Sequence, residues 1–208
     1  MKIIKFILRC LINFFFFLIF GICFLYHRKG NKKYHLSGRT MIISNHFSDF
    51  DMMYIYLLYG YKKHLTFVAY EGIKQGFSKI FAFAYDCIIV YEDKLKNIAS
   101  IKQMIKTLED DGILIIFPEG YIDCDKESLY PFSETYLFVA KKAKAKILCL
   151  SMYPIQFPFV FSKIYIGEEI SYQHLEETER SILNNEIQDH IKMNLIKMGV
   201  DMRKNPTS

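Results

Sequence analysis

At 208 residues, with 51% hydrophobic and 16% aromatic side chains, the chain is too apolar to be disordered and long enough for one domain with a full core. Its formal charge of +5 is uneven: residues 1–39 hold eight basic side chains and no acid, and the remainder carries 19 basic against 22 acidic ones. Because the excess flanks an apolar segment, it points to anionic lipid headgroups and argues against a nucleic-acid partner.

The apolar segment is Cys10 to Tyr26, 17 residues without a charge. As a helix it measures about 26 Å at ~1.5 Å per residue, slightly under a ~30 Å hydrocarbon core. Extending it back to Ile3 supplies the missing length if Lys5 and Arg9 snorkel toward headgroups. The competing assignment is a cleaved signal peptide, with Lys2 and Lys5 as its basic start and Gly21-x-Cys23 as its cleavage site. The rest of the chain favours an anchor facing a reducing compartment. Five cysteines (Cys10, Cys23, Cys87, Cys124, Cys149) form no Cys-x-x-Cys pair, so neither a disulfide framework nor a zinc site is indicated. Asn205 is followed by Pro206, which leaves no glycosylation acceptor. The expected organisation is a membrane anchor over 1–27, a basic linker over 28–39 and a single domain over 40–208.

From Thr40 onward, short apolar runs alternate with amphipathic stretches. The strands expected are Thr40 to Ser44, Leu65 to Ala69, Cys87 to Tyr91, Ile113 to Phe117 and Ile147 to Met152, with a further one at Val160 to Ile166 ended by Gly167. Helices are expected near Asp51 to Leu58, Ile73 to Phe83, Lys96 to Glu109 and Ser133 to Lys144. A tail helix from His174 to Met198 carries the stripe Leu175, Ile182, Ile187, Ile191, Leu195. Such alternation predicts an α/β fold, a mostly parallel central sheet flanked by helices, preceded by the membrane-anchoring helix. Ile98, Ile101, Ile105 and Leu108 recur at helical spacing and read as core packing.

Three polar groups interrupt this pattern at the carboxyl ends of predicted strands, where parallel sheets place their ligand crevices. They are Asn45-His46 with Asp49 and Asp51, then Glu92-Asp93-Lys94, then Phe117-Pro118-Glu119-Gly120. An imidazole and a carboxylate five residues apart, across a strand-to-helix loop, can face each other and share a hydrogen bond, as a general base requires. Each group alone is weak, because a His after a strand is more often structural and Pro-Glu-Gly is often only a turn.

Asn45-His46-x-x-x-x-Asp51, followed some seventy residues later by Phe117-Pro118-Glu119-Gly120, resembles the glycerolipid acyltransferases, in particular the 1-acylglycerol-3-phosphate and lysophospholipid acyltransferases. The resemblance covers roughly residues 35–160. It implies an enzyme that moves a fatty acyl group from acyl-coenzyme A to the free hydroxyl of a lysophospholipid, with His46 as general base and Asp51 as the residue that orients it. Glu119 and Gly120 match the family's acceptor-binding loop, Lys94 stands nearest the second motif's missing cation, and Asn45 and Pro118 support their loops. No cofactor or metal is implied; acyl-coenzyme A is a co-substrate, the partners are lipids and the membrane, and the oligomeric state is left open. The family also implies an endoplasmic reticulum membrane, or a bacterial inner membrane, with the catalytic domain on the cytoplasmic side.

Departures from the family pattern concern charge. Tyr121 and Ile122 stand where Thr or Ser and Arg usually follow Glu-Gly, the second motif lacks its Arg near Tyr91-Glu92, and the stretch around Pro154 lacks a basic residue. These losses weaken the grip on a phosphate monoester, since Arg pairs bidentately with phosphate in a way Lys does not reproduce. A lysophospholipid with a diester headgroup therefore becomes a stronger acceptor candidate, with Lys94, Lys126 or Lys163 as compensating cations. A groove lined by residues such as Phe81 and Phe83 is expected to set acyl-chain length. The rival assignments are a coenzyme A-independent transacylase, an inactive lipid-binding relative, and a metal-dependent phosphohydrolase using His46, Asp49 and Asp51.

Overall fold

Thr40–Ser44 is buried along its whole length, which suits the uninterrupted Met41-Ile42-Ile43 run: a strand covered on both faces has no use for alternation. The computed structural model describes residues 2–18, 28–48, 51–60, 65–74, 76–120, 122, 128–155 and 161–202. Thr40–Ser44 is β2, the middle of a seven-stranded sheet, paired in parallel with β5 (Ile113–Ile116) and β6 (Lys146–Ile155). β3 (Leu65–Tyr70) and β4 (Ile88–Val90) extend the parallel part beyond β5. On the other side β7 (Phe161–Ile170) returns antiparallel to β6, and β1 (Arg28–Gly30) lies parallel to β7. The order is β1-β7-β6-β2-β5-β3-β4, a mostly parallel α/β sheet as expected.

Helices cover the sheet. α2 (Asp51–Ile55) continues as a π-helical segment through Gly60; α3 (Gly76–Ala84), α4 (Asn97–Glu109) and α5 (Thr135–Lys142) follow between strands. α6 (Tyr172–Glu177) and α7 (Arg180–Lys197) complete the described chain. The core runs through Met41, Ile42, Ile43, Leu114, Ile115, Leu148 and Leu150, all fully buried.

Several expectations shift. The basic stretch 28–39 carries β1, whose three residues Arg28-Lys29-Gly30 are too short and too charged to read as a strand, as suits an edge. Gly167 lies inside β7 rather than ending it. It sits opposite the register shift between Leu148 and Leu150, where a Cβ would meet the Cys149 carbonyl oxygen at 2.7 Å. The tail is two helices, because Thr178 and Glu179 adopt extended backbone between α6 and α7. That break rephases the stripe: Leu183 is buried in place of Ile182, which is 58% exposed. On α4 the buried face is Ser100, Met104 and Leu108, while Ile98 is 54% exposed. Ser100 turns inward because its hydroxyl donates to the Ile89 carbonyl at 2.6 Å.

The predicted anchor is described in part. α1 covers Lys2–Phe16, residues 19–27 lie outside the described set, and no described helix is long and apolar enough to cross a membrane. α1 instead lies on the domain by its polar side. Lys5, Arg9 and Asn13, spaced four apart, form one stripe. Lys5 and Arg9 pair with Asp86, Arg9 also donates to the Ala84 carbonyl, and Asn13 accepts from the Tyr85 hydroxyl. Asp86 holds φ 51°, which turns the chain out of α3 and presents its carboxylate to α1. Ile3, Ile4, Phe6, Ile7, Leu11 and Phe14 are exposed.

Candidate active site

The site is built at the carboxyl end of β2. After Ser44 the chain leaves the sheet, and Asn45 takes over the pairing with its side chain. Its Nδ2 donates to the Met152 carbonyl and its Oδ1 accepts from the Met152 amide, both at 2.9 Å. A planar amide thus imitates a peptide group and continues the β2–β6 ladder by one more rung, fully buried. His46 follows, turned out of the sheet.

Asp51 opens α2, with its amide donating to the Ser48 carbonyl at 3.0 Å. Its carboxylate folds back over the loop. Oδ2 accepts from the Phe47 amide and from the Ser48 amide at 2.9 Å, Oδ1 accepts from the Ser48 hydroxyl at 3.2 Å, and Oδ2 lies 3.0 Å from His46 Nδ1. An ionised carboxylate only accepts, so Nδ1 carries the proton in this contact, and in the neutral imidazole Nε2 then keeps its lone pair. The His46 side chain is 15% exposed and that of Asp51 0%. The imidazole therefore meets the solvent side, and the carboxylate beside it does not.

The third motif holds His46 from two further directions. Phe117 stacks on the imidazole, with ring centroids 4.2 Å apart and planes 17° from parallel. Glu119 accepts from the His46 main-chain amide through Oε1 and from the Tyr130 amide through Oε2, both at 3.0 Å. The Pro118 carbonyl accepts from Ser133 at 3.1 Å. Gly120 holds φ 73°, a left-handed conformation that disfavours side chains, and a Cβ there would find nothing within 4 Å. Among the described residues nothing stands over that position. The Gly120 amide donates to the Phe117 carbonyl at 3.2 Å.

Of the residues expected from sequence, Asn45, His46, Asp51, Pro118, Glu119 and Gly120 come together. Lys94 begins a 3-10 turn, Lys94–Lys96, after β4, and its side chain lies outside the described set, as do Asp49 and Lys126. The loop before Lys94 is tied by Asn97, whose amide exchanges 2.7 Å bonds with both main-chain groups of Tyr91. Lys163 lies on β7 opposite Tyr153. Phe81 is core, stacked 4.2 Å from Tyr85, whereas Phe83 faces outward beneath Lys5. No metal-binding cluster of His, Cys, Asp or Glu occurs among the described residues. The stacking role of Phe117 has no signal in the sequence beyond the residue's place in its motif. Tyr130 acts through a main-chain amide and so has no residue-type signal either.

Comparison with known proteins adds independent findings. A family model described as Acyltransferase matches residues 26–153. Curated proteins provide no match. Among solved structures the fold resembles the 1-acyl-sn-glycerophosphate (LPA) acyltransferase PlsC from Thermotoga maritima, with a TM-score of 0.65 and 16% sequence identity over 88% of this chain and 78% of that one.

Proposed function

The chain belongs to the acyltransferase family, and from that premise we propose that it transfers a fatty acyl group from acyl-coenzyme A to the free hydroxyl of 1-acylglycerol-3-phosphate or a related lysophospholipid. The observation that carries this reading is the 3.0 Å contact between His46 Nδ1 and the buried Asp51 carboxylate, with the imidazole kept accessible. Nε2 takes the hydroxyl proton as the acceptor oxygen attacks the thioester carbonyl carbon. The tetrahedral intermediate collapses with loss of the coenzyme A thiolate, which takes the same proton back from the imidazolium to give the free thiol, leaving an ester and a neutral imidazole. Asp51 holds the tautomer and stabilises the imidazolium. Base catalysis of this kind contributes typically ~100- to 10,000-fold. Gly120, whose missing side chain lets a phosphate approach the backbone, and Lys94 are the acceptor-side groups. The lost arginines make a diester headgroup the better fit.

Substrates of this class reside in a bilayer, and α1 offers a surface that suits one. Its basic and polar stripe is engaged by the domain, so the outward face is apolar, and Ile80 and Phe83 of the neighbouring α3 are exposed as well. In our reading this face lies in the headgroup–acyl boundary as an interfacial helix.

The test is acyl transfer by the purified chain in phosphatidylcholine–phosphatidylglycerol vesicles, with oleoyl-coenzyme A and a panel of lysophospholipids. Transfer coupled to thiol release is expected from the wild type, and His46→Ala is expected to lose about 100- to 10,000-fold of it. Undiminished transfer by His46→Ala would refute the mechanism. Transfer that needs no acyl-coenzyme A, with an intact phospholipid as donor, would make the protein a transacylase.

A further inference from the structure

Glu119 is an odd choice for an acceptor ligand. It is 6% exposed, and each carboxylate oxygen already receives a main-chain amide at 3.0 Å, one from His46 and one from Tyr130. A carboxylate also repels the phosphate of any lysophospholipid. What it holds is more informative. One end of the bridge is the backbone of the base itself. The other end is Tyr130, in the segment running to Phe132, and that segment is fastened to α7. Gln188 Nε2 donates to the Tyr130 carbonyl at 3.2 Å, and Asn184 donates to the Phe132 carbonyl at 3.0 Å while accepting from the Tyr136 hydroxyl at 2.7 Å.

We propose that Glu119 is a positioning residue of His46: it locks the backbone of the base to the 130–132 segment, and through it to α7, without touching the acceptor. The proposal rests on the acyl-transfer reading only for its kinetic arm. Asp51 fixes Nδ1, Phe117 covers one face of the ring, and Glu119 fixes the main chain from which the ring hangs. Three constraints from three directions leave the imidazole one orientation, as productive proton transfer requires. Both amides need an acceptor, and only a carboxylate of this length serves the two at once. Glutamine offers one acceptor and turns an NH2 donor against the other N–H. Aspartate keeps the charge but is one methylene short.

The experiment measures Glu119→Gln and Glu119→Asp in the full-length chain, by steady-state kinetics with varied lysophospholipid and by 15N NMR of the histidine imidazoles, with thermal melting as the check on folding. A positioning role predicts kcat lower by about 10- to 100-fold in both variants, with acceptor KM within about 3-fold of wild type. It also predicts displaced His46 ring resonances. An acceptor KM raised about tenfold or more at unchanged kcat would overturn the proposal and assign Glu119 to acceptor binding. If Glu119→Gln does not fold, Glu119→Asp carries the same split. If the wild type acylates no lysophospholipid, the reaction assignment fails by itself. The NMR arm then decides about Glu119, and His46 resonances identical to wild type in both variants would sink the proposal.

Discussion

Asn45 shows how a single side chain can stand in for a length of backbone. Its two 2.9 Å bonds occupy both main-chain groups of Met152, so Asn45→Ala leaves a buried donor and a buried acceptor unmatched. The expected cost is about 2–4 kcal/mol, at ~1–3 kcal/mol per orphaned group with partial relief by water, read from urea unfolding. Transfer activity should fall as well, because the next residue is His46, the base in the proposed mechanism. Asp51→Asn probes the same loop differently. It keeps the size of the side chain but loses the charge opposite His46 and places an NH2 against the Ser48 amide or the imidazole. Here kcat should drop by about 100- to 10,000-fold, and a rate within threefold of wild type would remove Asp51 from the mechanism. The contact between His46 and Asp51 was legible in the sequence because it depends on residue type, at a spacing one loop can close. The other half of the site was not, because amides of His46, Phe47, Ser48 and Tyr130 do the holding, and every residue but proline carries an amide.

At the scale of elements, legibility followed burial. β2, β3 and β5 were found nearly to the residue because their buried interiors are written as apolar runs, broken in β3 by Thr66. β1 escaped because an edge strand of three charged or small residues carries no such pattern. α4 was found but with its inward face rotated, since a serine satisfied by the Ile89 carbonyl displaced an isoleucine from the core. α1 is the element with the most to test. Its ion pairs to Asp86 are partly exposed, at 50% for the Asp86 side chain, so Asp86→Ala should lower stability by less than about 1 kcal/mol per pair. Its apolar face is the stronger term. Leu11→Ser with Phe14→Ser should leave the melting temperature unchanged, because both residues are exposed. Vesicle co-sedimentation should weaken by at least about tenfold, at ~0.8 kcal/mol per buried methylene lost. Equal sedimentation of variant and wild type would show that this face does not meet lipid.

The whole molecule carries a burden of buried weak acids. Burial pushes the thiols of Cys87 and Cys149 up to about 12, with nearby Asp86 adding to the effect at Cys87, and it raises the phenols of Tyr59, Tyr85 and Tyr136 above their usual range. Each folded-state group keeps its proton at a pH where the unfolded chain releases it. The resulting stability is fully present below the unfolded thiol value of 9.0 and is lost as pH rises from there through about 12. Calorimetry should show a melting temperature that declines steadily above about pH 9; a flat profile to pH 12 would contradict it. For the same reason a maleimide at pH 8 should label exposed Cys10 and spare Cys87 and Cys149, as peptide mapping would resolve.

The long reach of the contacts around His46 also says when the site comes into being. His46 and Asp51 are five residues apart, but the loop is pinned to Met152 across 107 residues, to Glu119 across 73, and Tyr130 is fastened to α7 across 58. A growing or refolding chain therefore makes the pair early and the platform late. Helical signal should return first, and acyl transfer only when β6 and α7 have closed around the loop. Recovered activity would then time the last long-range steps of folding.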